Sequence, residues 1–219
     1  MQKIALIVAG GKGIRMQNKT PKQFLAVKDL PILMRTIKKF KSFDRVIIVI
    51  AEEHIIYWKK LCKKFKFSNP HNIVSGGKNR FESVKNGLEN INEDGIVAIH
   101  DGVRPLISEN LIEKLIDTLK KETNDKGVIP LVKINDSIRK LEEHKHVQTE
   151  RKNIYKVQTP QCFFINSIKS AYNQDFISKF TDDANVFENN GGKIISVIGE
   201  EINIKITTKE DLNMFEKLL

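Results

Sequence analysis

The sequence predicts an α/β fold with a largely parallel, twisted sheet and helices on both faces. Short, continuously apolar runs recur along the chain, as in strands that are buried on both faces. Segments with apolar residues at helical spacing alternate with these runs. Only residues 133–157 break the alternation, with a polar and β-like stretch. We therefore expect one domain over residues 1–219 with a β-arm inserted at about 133–157.

The predicted elements follow each other in a regular order. Strands are predicted at 4–9, 46–51, 72–74, 96–100, 127–132 and 193–198. Helices are predicted at 33–40, 55–65, 81–91, 111–119, 165–176, 182–189 and 207–218. The last helix is expected to begin with a capping box from Thr207 to Glu210. A glycine-rich loop is predicted between residues 10 and 23.

The arm at residues 133–157 reads as two polar strands with a charged tip. A hairpin of this kind is marginally stable by itself, so another surface has to cover it. A second copy of the chain is the simplest candidate. The sequence therefore favours a homodimer and a Rossmann-like α/β fold with an inserted arm.

Composition excludes several classes of protein. The chain has 219 residues, which suits one domain with a substantial core. Its longest apolar runs are under ten residues, so no membrane helix is expected. We recognise no cleavable signal peptide at the start and expect a cytoplasmic location. The two cysteines, Cys62 and Cys162, are too far apart for a disulfide framework or a paired-cysteine metal module.

The charge is strongly positive, with 37 Lys and Arg against 27 Asp and Glu and a net charge of +10. Such an excess reflects either lysines on solvated faces or an anionic partner such as nucleic acid, a membrane surface or phosphorylated metabolites. An RNA-binding module would interleave aromatic residues with its cations. The Tyr and Trp residues show no such pattern, so neither nucleic acid nor membrane is expected as a partner. His144 and His146 have no third ligand near them in sequence and are expected to be solvated.

The glycine-rich loop is the first candidate site. It follows the first predicted strand, at the edge where α/β sheets bind ligands. Gly10, Gly11 and Gly13 let backbone N–H groups approach an anion. Arg15 and Lys22 add a planar fork and a point charge, which suits a polyphosphate. The loop matches neither the Walker A pattern nor the dinucleotide fingerprint, and a tight turn with two solvated cations remains the alternative.

The segment from His100 to Pro105 is the second candidate site, where a strand ends in Asp and a turn leads to Arg. Asp101 is suited to a Mg²⁺ ion that bridges phosphates. Arg104 is suited to a second phosphate. An ion pair between Asp101 and Arg104 that fixes the turn is the alternative. His100 has no catalytic partner nearby in sequence and is expected to pack at the strand end.

Seven motifs occur in order over nearly the whole chain. They are VAGGKGIRM with PKQ (8–16, 21–23), GGKNRFESVKNGL (76–88), HDGVRP (100–105), DS (136–137), TPQCF (159–163), TDDA (181–184) and NIKIT with EDL (203–207, 210–212). Together they resemble the 2-C-methyl-D-erythritol 4-phosphate cytidylyltransferases of the non-mevalonate isoprenoid pathway. The resemblance implies transfer of CMP from CTP to the substrate's 4-phosphate, with release of pyrophosphate.

The resemblance also implies roles for individual residues. The implied catalytic cations around the α-phosphate are Arg15, Lys22 and Lys205. The implied CTP-binding residues are Ala9, Gly10, Gly11, Gly13, Gly76, Arg80 and Ser83. The implied residues on the polyol phosphate side are Asp101, Arg104, Ser137, Arg151, Thr159 and Thr181. Mg²⁺ is expected to be held mostly by phosphates, with Asp101 as the protein ligand, and the arm residues Ser137 and Arg151 are implied to reach the site of a second subunit.

Two departures from the family pattern leave the polyol open. Gly102-Val103 stands where a pair of alanines is commoner, and Ser137 stands in place of Thr. A glycine is expected to loosen the turn between Asp101 and Arg104. The alternative function is that of a sister enzyme, which forms CDP-ribitol from ribitol 5-phosphate and shares the CTP motifs.

Overall fold

The computed structural model describes residues 1–11, 20–142 and 144–219. Within these ranges the strands are β1 (Gln2–Val8), β2 (Ala26–Val27), β3 (Leu30–Pro31), β4 (Arg45–Ile50), β5 (Asn72–Ser75), β6 (Gly95–Asp101), β7 (Lys126–Lys133), β8 (Ile138–Glu142), β9 (Lys145–Thr149), β10 (Tyr155–Val157), β11 (Gln161–Phe164) and β12 (Lys193–Ile198). The helices are α1 (Ile32–Lys38), α2 (Ile55–Lys64), α3 (Arg80–Glu89), α4 (Glu109–Leu119), α5 (Ile165–Ala171), α6 (Asp183–Asn189) and α7 (Lys209–Lys217).

A central sheet organises the chain. Strands β5, β4, β1 and β6 lie side by side and are parallel. β11 is antiparallel to both β6 and β7, and β10 continues along the same edge of β7. β12 pairs in parallel with the other edge of β7. The prediction of a largely parallel sheet is confirmed, with β10 and β11 as its antiparallel members.

Helices cover both faces of the sheet, as the sequence predicts. Side chains on a strand point alternately to opposite faces, and the buried residues of β1 divide accordingly. Ala5 and Ile7 pack in one core with residues of α1, α2 and α4. Ile4 and Leu6 pack in a second core with residues of α3, α5 and α6. This double burial explains why the strand is continuously apolar.

The structure differs from the predicted elements at several places, among them the short strands β2 and β3, which were not predicted. The helix predicted at 165–176 ends at Ala171, and the four-residue strand β11 before it was not predicted. The capping box of α7 was predicted one residue too early. Thr208 is the N-cap, and it exchanges hydrogen bonds with Asp211. Thr207 donates both its N–H and its hydroxyl to the same Asp211 carboxylate, so both threonines bond to this residue at the start of α7.

Strands β8 and β9 form a two-stranded sheet separate from the central one. They lie in the segment for which the sequence predicts an arm. Leu141 and Val147 on this hairpin are 64% and 44% exposed. Dimerisation through the arm and the single-domain organisation stay predictions. No helix in the described part of the chain is long and apolar enough to cross a membrane.

A small third core holds the C-terminal segment against the turn that follows β6. Ile206 and Phe215 are fully buried there and pack with Val103, Ile32 and Val27. The N–H of Ile206 donates to the carbonyl of Val103 at 3.0 Å. This packing brings the chain just before α7 beside the end of β6.

Removal of the α7 cap tests this anchoring. We expect Thr208→Ala to lower the free energy of unfolding by about 1 kcal/mol, because the Asp211 N–H loses its acceptor at the helix start. Thr208→Ser keeps the hydroxyl and should retain most of the stability. Urea unfolding of both variants measures the difference. An equal loss in the two variants would contradict a capping role.

Candidate active site

The two loops singled out from the sequence begin side by side. In the parallel pairing of β1 with β6, Val8 lies opposite Asp101. The Gly102 N–H donates to the Val8 carbonyl at 2.9 Å. A Cβ at Gly102 would lie 2.8 Å from the Cβ of Ala9, so glycine permits this close approach. Both loops therefore leave the carboxyl edge of the sheet, where ligands bind in α/β folds.

Asp101 gathers two cations from distant parts of the chain. Its Oδ2 accepts a hydrogen bond from Arg104 Nε at 3.0 Å and forms an ion pair with Lys205 Nζ at 3.1 Å. The second arm of the Arg104 guanidinium donates to the Asn203 carbonyl at 2.8 Å. The lysine side chain remains 41% exposed, whereas those of Asp101 and Arg104 are nearly buried. Arg104 is thus fixed, while Lys205 still faces solvent.

The charge state of Asp101 follows from these neighbours. Burial alone raises the pKa of a carboxyl group, because it removes water from the charged form. Lys205, Arg80 and Arg104 more than offset this effect and hold the pKa of Asp101 well below its usual range. The carboxylate is therefore ionised at neutral pH and provides a fixed negative centre for the surrounding cations.

Arg80 forms a second buried ion pair beside this cluster. Its guanidinium donates to both oxygens of Asp183 at 2.6 Å. Asp183 is fully buried and also accepts from the Tyr172 hydroxyl at 2.6 Å. Burial lowers the pKa of Arg80, but Asp183 outweighs it and keeps the group charged. Asp183 was not among the predicted site residues, although it lies in the TDDA motif.

His100 and Thr159 hydrogen-bond to the backbone of the turn that carries Asp101 and Arg104. The Asp101 N–H donates to Thr159 Oγ1 at 3.0 Å, so the hydroxyl proton is directed to His100 Nδ1, also at 3.0 Å. His100 Nε2 lies 3.1 Å from the Arg104 carbonyl, which accepts only, and Nε2 therefore carries a proton. His100 is fully buried and packs against Phe40 at 5.1 Å between ring centroids. It is a neutral packed residue, as expected from the sequence.

Three predicted CTP-binding residues meet at the start of α3. Ser83 Oγ donates to the Asn79 carbonyl at 2.8 Å and accepts from the Gly77 N–H at 3.1 Å. Added Cβ atoms at Gly10 and Gly76 would lie 3.5 Å and 3.1 Å from this oxygen. Gly10, Gly76 and Ser83 therefore lie against one another, although Gly10 comes from a different motif than Gly76 and Ser83.

A polar cleft of about 220 Å³ joins the charged groups. Of the predicted site residues it is lined by Arg80, Asp101, Arg104, Thr159, Thr181 and Lys205. Sequence reasoning did not assign three further polar lining residues, Gln158, Gln161 and Asp182. Gln161 and Asp182 stand in the TPQCF and TDDA motifs, which was the available signal. Gln158 hydrogen-bonds with Glu200 and Asn203 and lies in none of the motifs, so the sequence did not indicate that it lines the cleft.

Several predicted residues lie elsewhere. Gly13 and Arg15 fall outside the described residues. Lys22 lies on a short 3₁₀ turn, Lys22–Phe24, and does not line the cleft. Ser137 and Arg151 are exposed on the arm, where Arg151 donates to the Asn135 carbonyl, and neither lines the cleft. The roles predicted for all of these residues stay predictions.

Comparison with known proteins shows the family to which the chain belongs. The family model "IspD: 2-C-methyl-D-erythritol 4-phosphate cytidylyltransferase" matches residues 3–219. The chain belongs to this family. It is therefore a CTP-dependent cytidylyltransferase, as the motifs predict.

Relatives resemble the chain over its full length. Enzymes of this name from Bacteroides fragilis and Phocaeicola vulgatus are 43% and 40% identical, and each alignment covers 100% of both chains. The solved cytidylyltransferase of Francisella tularensis has a TM-score of 0.81 at 29% identity and 100% coverage of both chains. The 4-diphosphocytidyl-2C-methyl-D-erythritol synthase of Anaerococcus prevotii has a TM-score of 0.81 at 30% identity, covering 99% of this chain and 97% of its own.

The donor set of this cytidylyltransferase fits a lightly held Mg²⁺ ion. Among the residues that the structure describes, no three His, Cys, Asp or Glu side chains form a metal-binding group. Mg²⁺ in phosphate-transfer sites usually takes one or two carboxylates and keeps substrate oxygens and water as its other ligands. Asp101 offers one carboxylate beside the cations, which is compatible with such a site.

The buried His100 gives a testable pH dependence. Burial lowers the pKa of His100 to about 4, from about 6.5 when unfolded, against the opposing hydrogen bond to the Arg104 carbonyl. The unfolded state therefore binds a proton first as the pH falls below about 6.5, and stability is lost progressively down to about pH 4. By about pH 5 the loss should reach about 2 kcal/mol.

We expect His100→Gln to lack this component. Urea unfolding at about pH 7 and about pH 5 measures the stability change of the wild type and the variant. The wild type should lose about 2 kcal/mol more than the variant over this interval. Parallel losses in both proteins would show that His100 does not titrate as described.

Proposed function

We propose that the chain transfers CMP from CTP to 2-C-methyl-D-erythritol 4-phosphate, giving 4-diphosphocytidyl-2-C-methyl-D-erythritol and pyrophosphate. The observation that carries this proposal is the convergence of Arg104 and Lys205 on one oxygen of Asp101, beside the glycine-rich loop. The names of the relatives at 40–43% identity support this substrate. The ribitol 5-phosphate alternative is not favoured.

The reaction mainly requires that the two substrates are positioned and that positive charge surrounds their phosphates. The substrate's phosphate dianion is already a nucleophile, and its oxygen attacks the α-phosphorus in line while pyrophosphate leaves. Two anions have to approach each other, so each cation that is fixed at the developing charge stabilises the transition state, typically by about 3 kcal/mol. Lys205 is assigned to the α-phosphate, because it is exposed and lies at the cleft. Arg104 is assigned to the polyol phosphate.

Asp101 keeps these cations in place before substrate arrives. An unpaired lysine samples many rotamers, and ordering it on binding costs free energy. The ion pair with Asp101 holds the Lys205 ammonium at the cleft in advance. When Mg²⁺ is bound, it neutralises charge on the triphosphate, with Asp101 as its proposed protein ligand.

The surface formed by Gly10, Gly76 and Ser83 is assigned to the cytosine. An added Cβ at either glycine would lie 3.5 or 3.1 Å from the serine oxygen, so the three residues pack closely. A pyrimidine ring is smaller than a purine, and we propose that the base site selects it by size. Arg80, held by Asp183 and lining the cleft, keeps its implied role in CTP binding.

A direct assay tests the reaction. Purified protein with CTP and Mg²⁺ should release pyrophosphate when methylerythritol 4-phosphate is added, and much more slowly with ribitol 5-phosphate. Omission of Mg²⁺ should abolish turnover. Faster turnover with ribitol 5-phosphate would replace the proposed substrate.

Lys205→Ala tests the assignment at the α-phosphate. We expect kcat to fall by about 100-fold, because one charge donor is removed from the transition state. Lys209→Ala, at an exposed lysine on the same segment, is the matched control and should keep its activity. Steady-state kinetics and a melting curve of each variant separate lost chemistry from lost folding. An unchanged kcat in a folded Lys205→Ala protein would remove this residue from the mechanism.

The homodimer is also proposed, with Arg151 and Ser137 of each arm completing the site of the other subunit. The separate two-stranded sheet of the arm, which is marginally stable by itself, and its exposed Leu141 and Val147 support it. In a mixed dimer that pairs a Lys205→Ala subunit with an Arg151→Ala subunit, one of the two sites keeps both residues. Such a dimer, purified through two different tags, should have about half of the wild-type activity.

The reverse arrangement is the control for this dimer experiment. A subunit with both substitutions paired with a wild-type subunit has no complete site if the arm reaches across, and it should be almost inactive. If each arm completes the site of its own subunit, this second dimer should keep about half of the wild-type activity and the first should be almost inactive. Activity measurements on both dimers therefore decide between the two arrangements.

A further inference from the structure

Gln23 makes two contacts with the start of the glycine-rich loop. Its side-chain amide donates to the Ala9 carbonyl at 2.7 Å and to the Gly11 carbonyl at 3.2 Å. The residue is only 1% exposed. It lies outside the cleft, so these contacts belong to the loop rather than to a substrate.

The turn that carries Gln23 is itself anchored. The next residue, Phe24, is buried and packs against the rings of His54, Tyr57 and Trp58 at centroid distances of 5.6, 5.6 and 6.0 Å. The preceding residue, Lys22, is one of the predicted catalytic cations. A single turn therefore joins helix α2, the start of the glycine-rich loop and a proposed catalytic lysine.

The contact also sets the direction of a backbone donor. The carbonyl and the N–H group of a trans peptide point to opposite sides. Because the Ala9 carbonyl points to Gln23, the Gly10 N–H points away from it. Gly10 lies beside Ser83, at the surface proposed for the nucleotide. The amide of Gln23 thus fixes the direction of one N–H group at this surface.

We infer that Gln23 is a positioning residue for CTP: its amide fixes the backbone from Ala9 to Gly11, where the glycine-rich loop begins, in the orientation that binds the nucleotide. This inference rests on the proposed function. Gln23 does not touch the reacting atoms and acts through the Ala9 and Gly11 carbonyls. Its loss should therefore weaken CTP binding and leave the polyol phosphate side, built around Asp101 and Arg104, largely intact.

Gln23→Met is the main test, since it keeps the length of the side chain and removes both donors. We expect the Kd for CTP, measured by calorimetry without the second substrate, to rise about tenfold. The KM for the polyol phosphate should change by less than about twofold. Activity of the wild type with CTP is measured in parallel, so that failure of the proposed function is seen separately.

Gln174→Met is the matched control. Gln174 also donates to two carbonyls, of Ala171 and Val186, at 2.7 and 2.8 Å, but in the layer of α5 and α6 away from the loop. If the loss of such an amide contact anywhere in the fold lowered CTP affinity, both variants would show it, whereas we expect the affinity to fall only in Gln23→Met. Unchanged CTP affinity, or equal loss in both variants, overturns the inference.

A second variant covers the case in which Gln23→Met does not fold. Gln23→Asn keeps the amide but is one methylene shorter, so it loses reach to at least one carbonyl. It should weaken CTP binding in the same direction without an apolar replacement. Wild-type CTP affinity in a folded Gln23→Asn protein would also overturn the inference.

Discussion

A buried carboxylate at the end of β6 determines how the site is assembled. Asp101 is only 7% exposed, and an ionised carboxyl group at such a position needs partners of opposite charge. Arg104 comes from the same turn, but Lys205 comes from the other end of the chain. The packing of α7 against the β6 turn is therefore also what completes the charge balance of the cleft.

Because acidic residues pair with the cations of the cleft, the cleft carries little net charge. Three cations and three carboxylates lie in or against it: Arg80, Arg104, Lys205, Asp101, Asp182 and Asp183. A triphosphate and a sugar phosphate require an excess of positive charge. The proposal therefore depends on cations beyond the cleft lining. These are Lys22, Arg15 and Arg151 from the arm of a second subunit, together with Mg²⁺.

Periodicity predicted the sheet because most strands are buried on both faces and are continuously apolar. β11 was missed because its few residues run directly into α5, so no break in polarity separates them. The motifs located the Asp101 turn and Lys205, but their contact depends on tertiary packing that spacing does not encode. For the same reason the sequence named Arg80 without its partner, since Asp183 lies 103 positions away.

The glycine at position 102 does not loosen the turn as the sequence suggested. Its N–H donates to the Val8 carbonyl, and its own carbonyl accepts from the buried Thr36 hydroxyl at 3.0 Å. The turn is thus held through its backbone on both sides, and the missing Cβ lets Ala9 and Leu33 pack against it. This departure therefore leaves Asp101 and Arg104 held in place, and Ser137 on the exposed arm is the other departure from the family pattern.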